Sequence, residues 1–564
     1  MSPDRTASAL AGALIRDLYA AGLRDVVLSP GSRSAPLALA LHAADRAGDL
    51  RLHVRVDERS AAFVALGLAT GSRLPVAVVT TSGTAVGNLM PAVMEAHHSG
   101  RRLIVISADR PDRLRDSGAN QTTRQAGLFG TFAPCHDLTP DAGRTQIEAA
   151  VAAAWSAAGP TQINVQFDGD LLPAGGPDTW WTDSPDSATG DDRRPPDWWP
   201  QARADGPAAA ERAPEVVPNG PRTVVVAGDD AGPAARLLAE AGNWPLLAEP
   251  TSGARTGRHA IRTYRLLLGT ALRDDIERVI VAGHPTLSRP VTGLIADPAL
   301  EVLAVRGRHR IATDPGRTAR HVDSMPDVAR PDGPAWLDRW RTADLAVGSR
   351  LDESLSGKAL TPLSVAAVIG AAVGPGTSLV VGSSNPVRDL DIMAIPWPSQ
   401  EHRFVAGNRG LAGIDGMVST AIGVALGRAR ATRTIAYLGD LTFLHDVNGL
   451  LLPHGERRPP LTFVVQNDDG GSVFATLEQG DVRYASAFEH VFGTPHGTDL
   501  EALCRAHHTA YERITDIERL TAALAEAPSG IRVLEVPVSR RDRSVEAQWL
   551  VRLAGAVGSA PTPR

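Results

Sequence analysis

Along this chain, short apolar runs end in turns of small or charged residues and lead into Ala/Leu-rich stretches. The step is about 25 residues, which is what strand, turn and crossover helix need in a parallel sheet. Asp25-Val26-Val27-Leu28-Ser29 runs into Pro30-Gly31-Ser32-Arg33, and His53-Val54-Arg55-Val56 into Asp57-Glu58. Residues 76–81 end at Ser82-Gly83-Thr84, and residues 103–107 at Ala108-Asp109-Arg110-Pro111. Residues 61–70 and 85–97 are predicted as crossover helices. The same steps return in order near the carboxyl end: 379–384, 403–409, 435–439 and 461–466 answer 26–32, 52–59, 76–81 and 103–107. The helix-like 420–427 likewise answers 63–67. The echo alone leaves open whether the halves are a duplication or two ordinary α/β domains. Between them a separate α/β pattern begins at Thr223-Val224-Val225-Val226-Ala227-Gly228 and continues through 277–283.

The fold expected is therefore α/β, three domains with mainly parallel sheets, over 1–180, 223–350 and 351–564. Residues 181–222 are expected to be a linker, since Pro, Asp, Ala and Trp dominate there without periodicity. Trp180, Trp181, Trp198 and Trp199 are expected to pack on a domain surface. A chain of 564 residues with 43% apolar and 21% charged residues has the composition of a globular protein. Its net charge of −6 argues against a nucleic-acid partner. Two cysteines, Cys135 and Cys504, exclude a disulfide framework and a thiolate metal cluster. No cationic-then-apolar leader and no run of about 18 apolar residues is present, so a cytoplasmic protein without a membrane span is expected. Of 57 basic residues only Lys358 is lysine, which leaves 56 arginines. Coding composition accounts for most of them, yet each guanidinium is a fork that can grip a carboxylate.

The most informative stretch is Gly439-Asp440-Leu441-Thr442-Phe443-Leu444-His445-Asp446, followed by Asn467-Asp468-Asp469-Gly470-Gly471. Each acidic cluster stands just past an apolar run, at a predicted carboxyl strand end, where open α/β sheets bind ligands. Asp440 and Asp468 could present hard oxygens to Mg²⁺, and Gly470 and Gly471 could let backbone approach a diphosphate. By contrast, Gly228-Asp229-Asp230-Ala231-Gly232 lacks the dinucleotide glycine spacing and reads as a plain strand-to-helix turn. His97-His98 and His507-His508 lack a third ligand and read as structural or surface residues.

A Gly-Asp pair followed about a strand-crossover unit later by an Asn-rich, Gly-ended turn resembles the cofactor motif of thiamine-diphosphate enzymes. The resemblance implies thiamine diphosphate with Mg²⁺ or Mn²⁺, held by Asp440, Asp468 and the carbonyl of Gly470. Leu441 stands where the family has a third glycine, and Asp468 where it has a second asparagine. The family's catalytic glutamate falls on Glu58, whose carboxyl would favour the pyrimidine tautomer that removes the thiazolium proton. Ile414 matches the apolar residue that bends the cofactor, and Ser82, Gly83, Gly439 and Gly471 line it. The domains implied are pyrimidine-binding (1–180), central (223–350) and diphosphate- and metal-binding (351–564). The working unit implied is a homodimer or homotetramer with active sites at subunit interfaces. The central domain is expected to lack FAD.

Six strings narrow the resemblance: Ser29-Pro30-Gly31-Ser32-Arg33-Ser34, Thr81-Ser82-Gly83-Thr84-Ala85, Ala108-Asp109-Arg110-Pro111, Gly118-Ala119-Asn120-Gln121, Asn408-Arg409-Gly410 with Gly413-Ile414-Asp415-Gly416, and 439–446. Together they are similar to the carboligases of menaquinone biosynthesis that decarboxylate 2-oxoglutarate and add the succinyl carbanion to isochorismate. Both substrates are dianions, and arginines stand just beyond several predicted strand ends. The resemblance assigns Arg33, Arg110 and Gln121 to the isochorismate side, with Arg33 and Gln121 also catalytic beside Glu58. It assigns Ser384, Arg388, Arg409 and, from the middle domain, Arg289 to substrate carboxylates. The rival readings are an acetolactate-synthase-like carboligase or other 2-oxo-acid decarboxylase, and a non-catalytic module of the same fold. Arginine-rich turns disfavour pyruvate, and a dead module has no use for Glu58.

Overall fold

The computed structural model describes residues 6–172, 214–307, 311–355, 357, 359–401, 403–428 and 431–558. Lys358 and the four linker tryptophans, Trp180, Trp181, Trp198 and Trp199, lie outside the described residues. The first sheet holds β1 (Asp25–Leu28), β2 (Arg51–Val54), β3 (Val76–Thr80), β4 (Leu103–Asp109), β5 (Cys135–Leu138) and β6 (Thr161–Gln166), ordered β2-β1-β3-β4-β6-β5. The middle region opens with β7 (Val216–Val217), inside the stretch read as linker. Its sheet holds β8 (Thr223–Ala227), β9 (Leu246–Ala248), β10 (Arg278–Ala282), β11 (Glu301–Val305) and β12 (Arg320–Val322), ordered β12-β11-β10-β8-β9. β13 (Asp327–Val328) pairs back with β7. The third sheet holds β14 (Thr377–Val381), β15 (Phe404–Ala406), β16 (Arg433–Gly439), β17 (Leu461–Asn467), β18 (Ala510–Arg513) and β19 (Ile531–Pro537), ordered β15-β14-β16-β17-β19-β18.

Among the described residues every pairing of these strands is parallel. Numbered within themselves, the first and third sheets share one order, 2-1-3-4-6-5. The four echoing steps of the sequence are the first four strands of each. The fifth and sixth strands escape the pattern for a physical reason. β6 reads Thr-Gln-Ile-Asn-Val-Gln, and all six residues are buried. Its Gln162, Asn164 and Gln166 side chains are hydrogen-bonded inside the fold, so no apolar run marks it. The helix predicted over 85–97 is broken into Thr84–Gly87 and Met90–Ser99. Pro91 cannot continue a helix through its own first turn, so the chain restarts there.

By compactness the chain forms two units. One is built on the first sheet and includes Val418–Ala429 and Asp446–Arg457; the other holds the central and third sheets. Within the first unit, the helix Glu58–Ser72 meets the helix Met417–Gly427 through two pairs of glycines four residues apart. Four-residue spacing puts each pair on one helical face. A Cβ on Gly423 would lie 2.1 Å from the Val64 carbonyl oxygen, and one on Gly67 2.2 Å from that of Thr420. Gly71 and Gly427 face the Val424 and Leu68 carbonyls at 2.9 and 2.8 Å by the same construction. Backbone cannot step aside as a side-chain tip can. Gly423→Ala is therefore expected to destabilise the unit by about 2 kcal/mol or more, overriding alanine's helical advantage of about 1 kcal/mol. Urea unfolding reads this as a lower midpoint; an unchanged midpoint would show that the helices separate at no cost.

Candidate active site

In the first unit the strand-end turns converge. Arg110, just past β4, donates to Ser82 Oγ and, at 2.8 Å, to the Gln121 carbonyl. Gln121 returns its side-chain amide to the Ser82 carbonyl at 2.9 Å, and Ser82 Oγ donates to the Gln121 carbonyl at 3.0 Å. Gly83 adopts φ +82°, and a Cβ there would stand 2.9 Å from Gln121 Cγ, so glycine is required twice over. Arg33 donates to the Phe167 carbonyl at 3.0 Å. Burial and then the nearby Arg110 charge hold its pKa down, which places the two guanidiniums in one neighbourhood. Glu58 opens its helix directly after Asp57, whose carboxylate caps the Ser60 amide at 3.1 Å. Among the described residues its own carboxylate accepts one long bond, 3.3 Å, from Asn88. Gln125, which lies outside the strand-end turns, is fully buried and accepts from the Gly83 amide at 2.9 Å while donating to the Ala108 carbonyl and Asn164 Oδ1. Nothing local distinguishes it from any loop glutamine.

In the second unit, Asp440 follows β16 and Asp468 follows β17, on neighbouring strands as expected. Asp440 accepts from the Leu441 and Gly470 amides at 2.7 and 2.9 Å and sits 3.1 Å from His496 Nε2. His496 lies outside every predicted strand-end turn, which is why the sequence hid it. Burial raises the pKa of Asp440. Burial and then the adjacent Asp440 charge push Asp468 up to about 7. Two buried carboxylates that repel one another suit a divalent cation, which relieves both penalties at once. Among the described residues no three His, Cys, Asp or Glu side chains form a metal set by themselves. A cation there could complete its shell with a backbone carbonyl, water or the oxygens of a bound group, as Mg²⁺ prefers. The donor set fits such a cation. A Cβ on Gly470 would meet the Gly493 carbonyl at 2.0 Å, and one on Gly471 the Phe492 carbonyl at 2.3 Å. The 492–493 backbone therefore explains both glycines. Gly439 and Leu441 flank Asp440, and Ile414 is partly buried in the turn after β15.

Also in this unit, Arg409 is buried and donates to Thr286 Oγ1 at 2.7 Å and Ser383 Oγ at 3.2 Å. Arg388 makes a single hydrogen bond among the described residues, to the Ser384 carbonyl at 2.8 Å. Burial, then Arg265, Arg409 and Arg289 hold its pKa down, so four guanidiniums share one electrostatic neighbourhood. Arg289 is largely exposed and pairs with Glu478. Ser384 caps the helix Asn385–Met393 at φ +76°, ψ −142°, a region that normally needs glycine. Such strain is retained where it aims a functional group.

The buried Glu249 stands just past β9, a strand of three residues that leaves no apolar run to read in the sequence. It accepts from the Thr286 and Leu287 amides at 3.0 and 2.8 Å, bracing the loop that offers Thr286 to Arg409. Burial pushes Glu249 up to about 8, against the pull of Arg409. A carboxyl raised above its unfolded value of 4.5 favours folding fully below that pH, and the benefit is lost as pH rises through about 8. Glu249→Gln is expected to flatten the fall of the melting temperature between pH 4.5 and 8. A slope as steep as the parent's would show that Glu249 does not titrate in this window.

Two family models match the chain: the thiamine pyrophosphate enzyme N-terminal TPP binding domain over residues 9–128, and the C-terminal TPP binding domain over 391–536. The chain is 47% identical to a 2-succinyl-5-enolpyruvyl-6-hydroxy-3-cyclohexene-1-carboxylate synthase of Nocardioides sp., covering 95% of this chain and 96% of the relative. It is 44% identical to the protein of the same name from Paenarthrobacter aurescens, covering 96% of each. Among solved structures, benzoylformate decarboxylase from Polynucleobacter necessarius superposes with a TM-score of 0.62 at 17% identity, over 95% of this chain and 99% of that one. That likeness speaks to the fold alone.

Proposed function

Because the chain belongs to the 2-succinyl-5-enolpyruvyl-6-hydroxy-3-cyclohexene-1-carboxylate synthases, within the thiamine pyrophosphate enzymes, we propose that it decarboxylates 2-oxoglutarate and adds the succinyl unit to isochorismate by conjugate addition. Thiamine diphosphate, when bound, supplies the acidic thiazolium carbon that makes this chemistry accessible. Asp440, Asp468 and the Gly470 carbonyl would hold Mg²⁺ or Mn²⁺, with Gly439, Leu441 and Gly471 beside the diphosphate. Ser82, Gly83 and Ile414 would seat the organic part. Glu58 holds a proton at its carboxyl against the pyrimidine ring, so that the ring's exocyclic nitrogen can accept one. Arg33, Arg110 and Gln121 orient isochorismate by its carboxylates. Arg388 and Arg409, with Ser384 and Arg289, grip the oxo acid.

The domain roles follow the same reading: pyrimidine-binding over 1–180, central over 223–350, diphosphate- and metal-binding over 351–564. The working form is a homodimer or homotetramer in the cytoplasm with sites at subunit interfaces. No helix among the described residues is long and apolar enough to cross a membrane.

The observation that carries the substrate assignment is the buried Arg409 guanidinium, held by the Thr286 and Ser383 hydroxyls, together with Arg388, whose single hydrogen bond among the described residues goes to the Ser384 carbonyl. Charge-assisted forks reward a dianion and leave a monoanion with unpaired buried charge beside it. Labelled CO₂ release supplies the test. 2-Oxoglutarate is expected to be preferred over pyruvate by at least about a hundredfold in kcat/KM. Equal or better turnover of pyruvate would overturn the assignment.

A further inference from the structure

The turn that carries Glu58 is tied down at three points, all by one stretch of chain far away in sequence. Before Glu58, where β2 ends, the Glu456 carboxylate accepts from the Val54 amide at 2.8 Å and from Arg55 Nη1 at 2.9 Å. Arg55 is almost fully buried, and it also donates to its neighbour Val54's carbonyl. Beside Glu58, Asn448 Nδ2 donates to Asp57 Oδ2 at 2.9 Å, while the other Asp57 oxygen caps the helix at Ser60. After Glu58, Ser60 Oγ donates to Asp446 Oδ1 at 3.3 Å. The second Asp446 oxygen accepts from the Ser419 amide at 2.7 Å, fixing the carboxylate to the neighbouring helix. Asp446 is fully buried. All these residues lie in the first compact unit.

An N-terminal helix turn needs only its cap. Here the cap residue is itself held, as are the residues four and three positions before the acid and the residue two positions after it. Glu58, in the middle, is left among the described residues with the single long bond from Asn88. This is how a reacting carboxyl is aimed without being neutralised: the backbone beneath it is fixed and the group itself stays available. On that ground, and resting on the proposed function for Glu58's role, we propose that Asp446, Asn448 and Glu456 are positioning residues for Glu58. The stretch follows in the chain directly on the helix Asp440–His445, whose first residue is the proposed metal ligand. One length of polypeptide therefore serves two halves of the chemistry.

The test uses the full chain and two readouts. In the protein without cofactor, Asn448→Ala is expected to speed hydrogen exchange at the Ser60 and Ala61 amides about tenfold, since both bond to Asp57. Asn448 is exposed, so this variant retains its fold. In the loaded enzyme, exchange of the thiazolium proton, followed by NMR, is expected to slow about tenfold or more in Asn448→Ala and Asp446→Ala. Asp446→Asn, whose amide oxygen can still accept from the Ser419 amide while its NH₂ donates to Ser60 Oγ, is expected to recover most of that loss. In a Glu58→Gln background none of the three is expected to slow exchange further, because a positioning residue acts only through the group it positions. Losses that add fully to Glu58→Gln, or unchanged exchange in both readouts, would overturn the proposal. A parent protein that fails to accelerate thiazolium exchange at all would instead remove Glu58's role, and the positioning with it.

Discussion

Glu58→Gln is expected to lower kcat at least about a hundredfold while leaving thiamine diphosphate affinity within a few-fold. Glu58 opens its helix, the Asp57 carboxylate satisfies the helix's exposed amide in its place, and among the described residues its own carboxyl has one weak partner. Glutamine keeps the shape and can keep the Asn88 contact, so the fold has no reason to change. What it cannot do is hold and release a proton at the carboxyl oxygen. The loss should appear in kcat and kcat/KM alike, the mark of an interaction made in the transition state. Steady-state kinetics with tryptophan-fluorescence titration of the cofactor separates the two quantities. Activity within twofold of the parent would take Glu58 out of the mechanism.

Arg409→Met is expected to raise KM for 2-oxoglutarate about thirtyfold or more, with a smaller change in kcat. Truncating one partner of a buried, hydrogen-bonded charge pair costs about 2–5 kcal/mol, and Arg409 is buried. Its guanidinium is held by Thr286 and Ser383 hydroxyls, which orient it without consuming its charge. Losing it strands no anion, because burial already keeps the nearby Glu249 protonated up to about pH 8. The variant should therefore fold. Arg409→Lys keeps the charge but loses the planar fork, and an intermediate KM is expected. An unchanged KM in both variants would assign Arg409 to the scaffold.

Much of this was legible in the chain because of one physical regularity. Parallel strands buried on both faces must be written as apolar runs, and ligand-facing chemistry collects where those runs stop. Asp440, Asp468, Glu58, Arg110 and Arg409 all stand there. Glu249 obeys the same rule in the central sheet, but its strand is only three residues long and leaves no apolar run to read. Other features leave no such mark. The glycine contact between the helices at Gly67 and Gly423 depends on which two helices meet, which neither sequence declares. Residues 446–457 read as ordinary crossover between β16 and β17, yet they belong to the unit built on the first sheet. The polar strand β6 carries Gln162, Asn164 and Gln166 inside, hydrogen-bonded to Ser107, Asp109 and Asp137, so its burial is invisible to hydropathy.

The central claim is a carboligase that needs two dianionic substrates, and one measurement reaches it most directly. Purified protein is mixed with thiamine diphosphate, Mg²⁺, 2-oxoglutarate and isochorismate, and the loss of isochorismate absorbance is followed, with parallel mixtures omitting each component or replacing 2-oxoglutarate by pyruvate. Loss that requires all four components and fails with pyruvate is the result expected. Isochorismate left intact while the protein releases CO₂ from a 2-oxo acid would contradict the carboligase and leave a decarboxylase in its place.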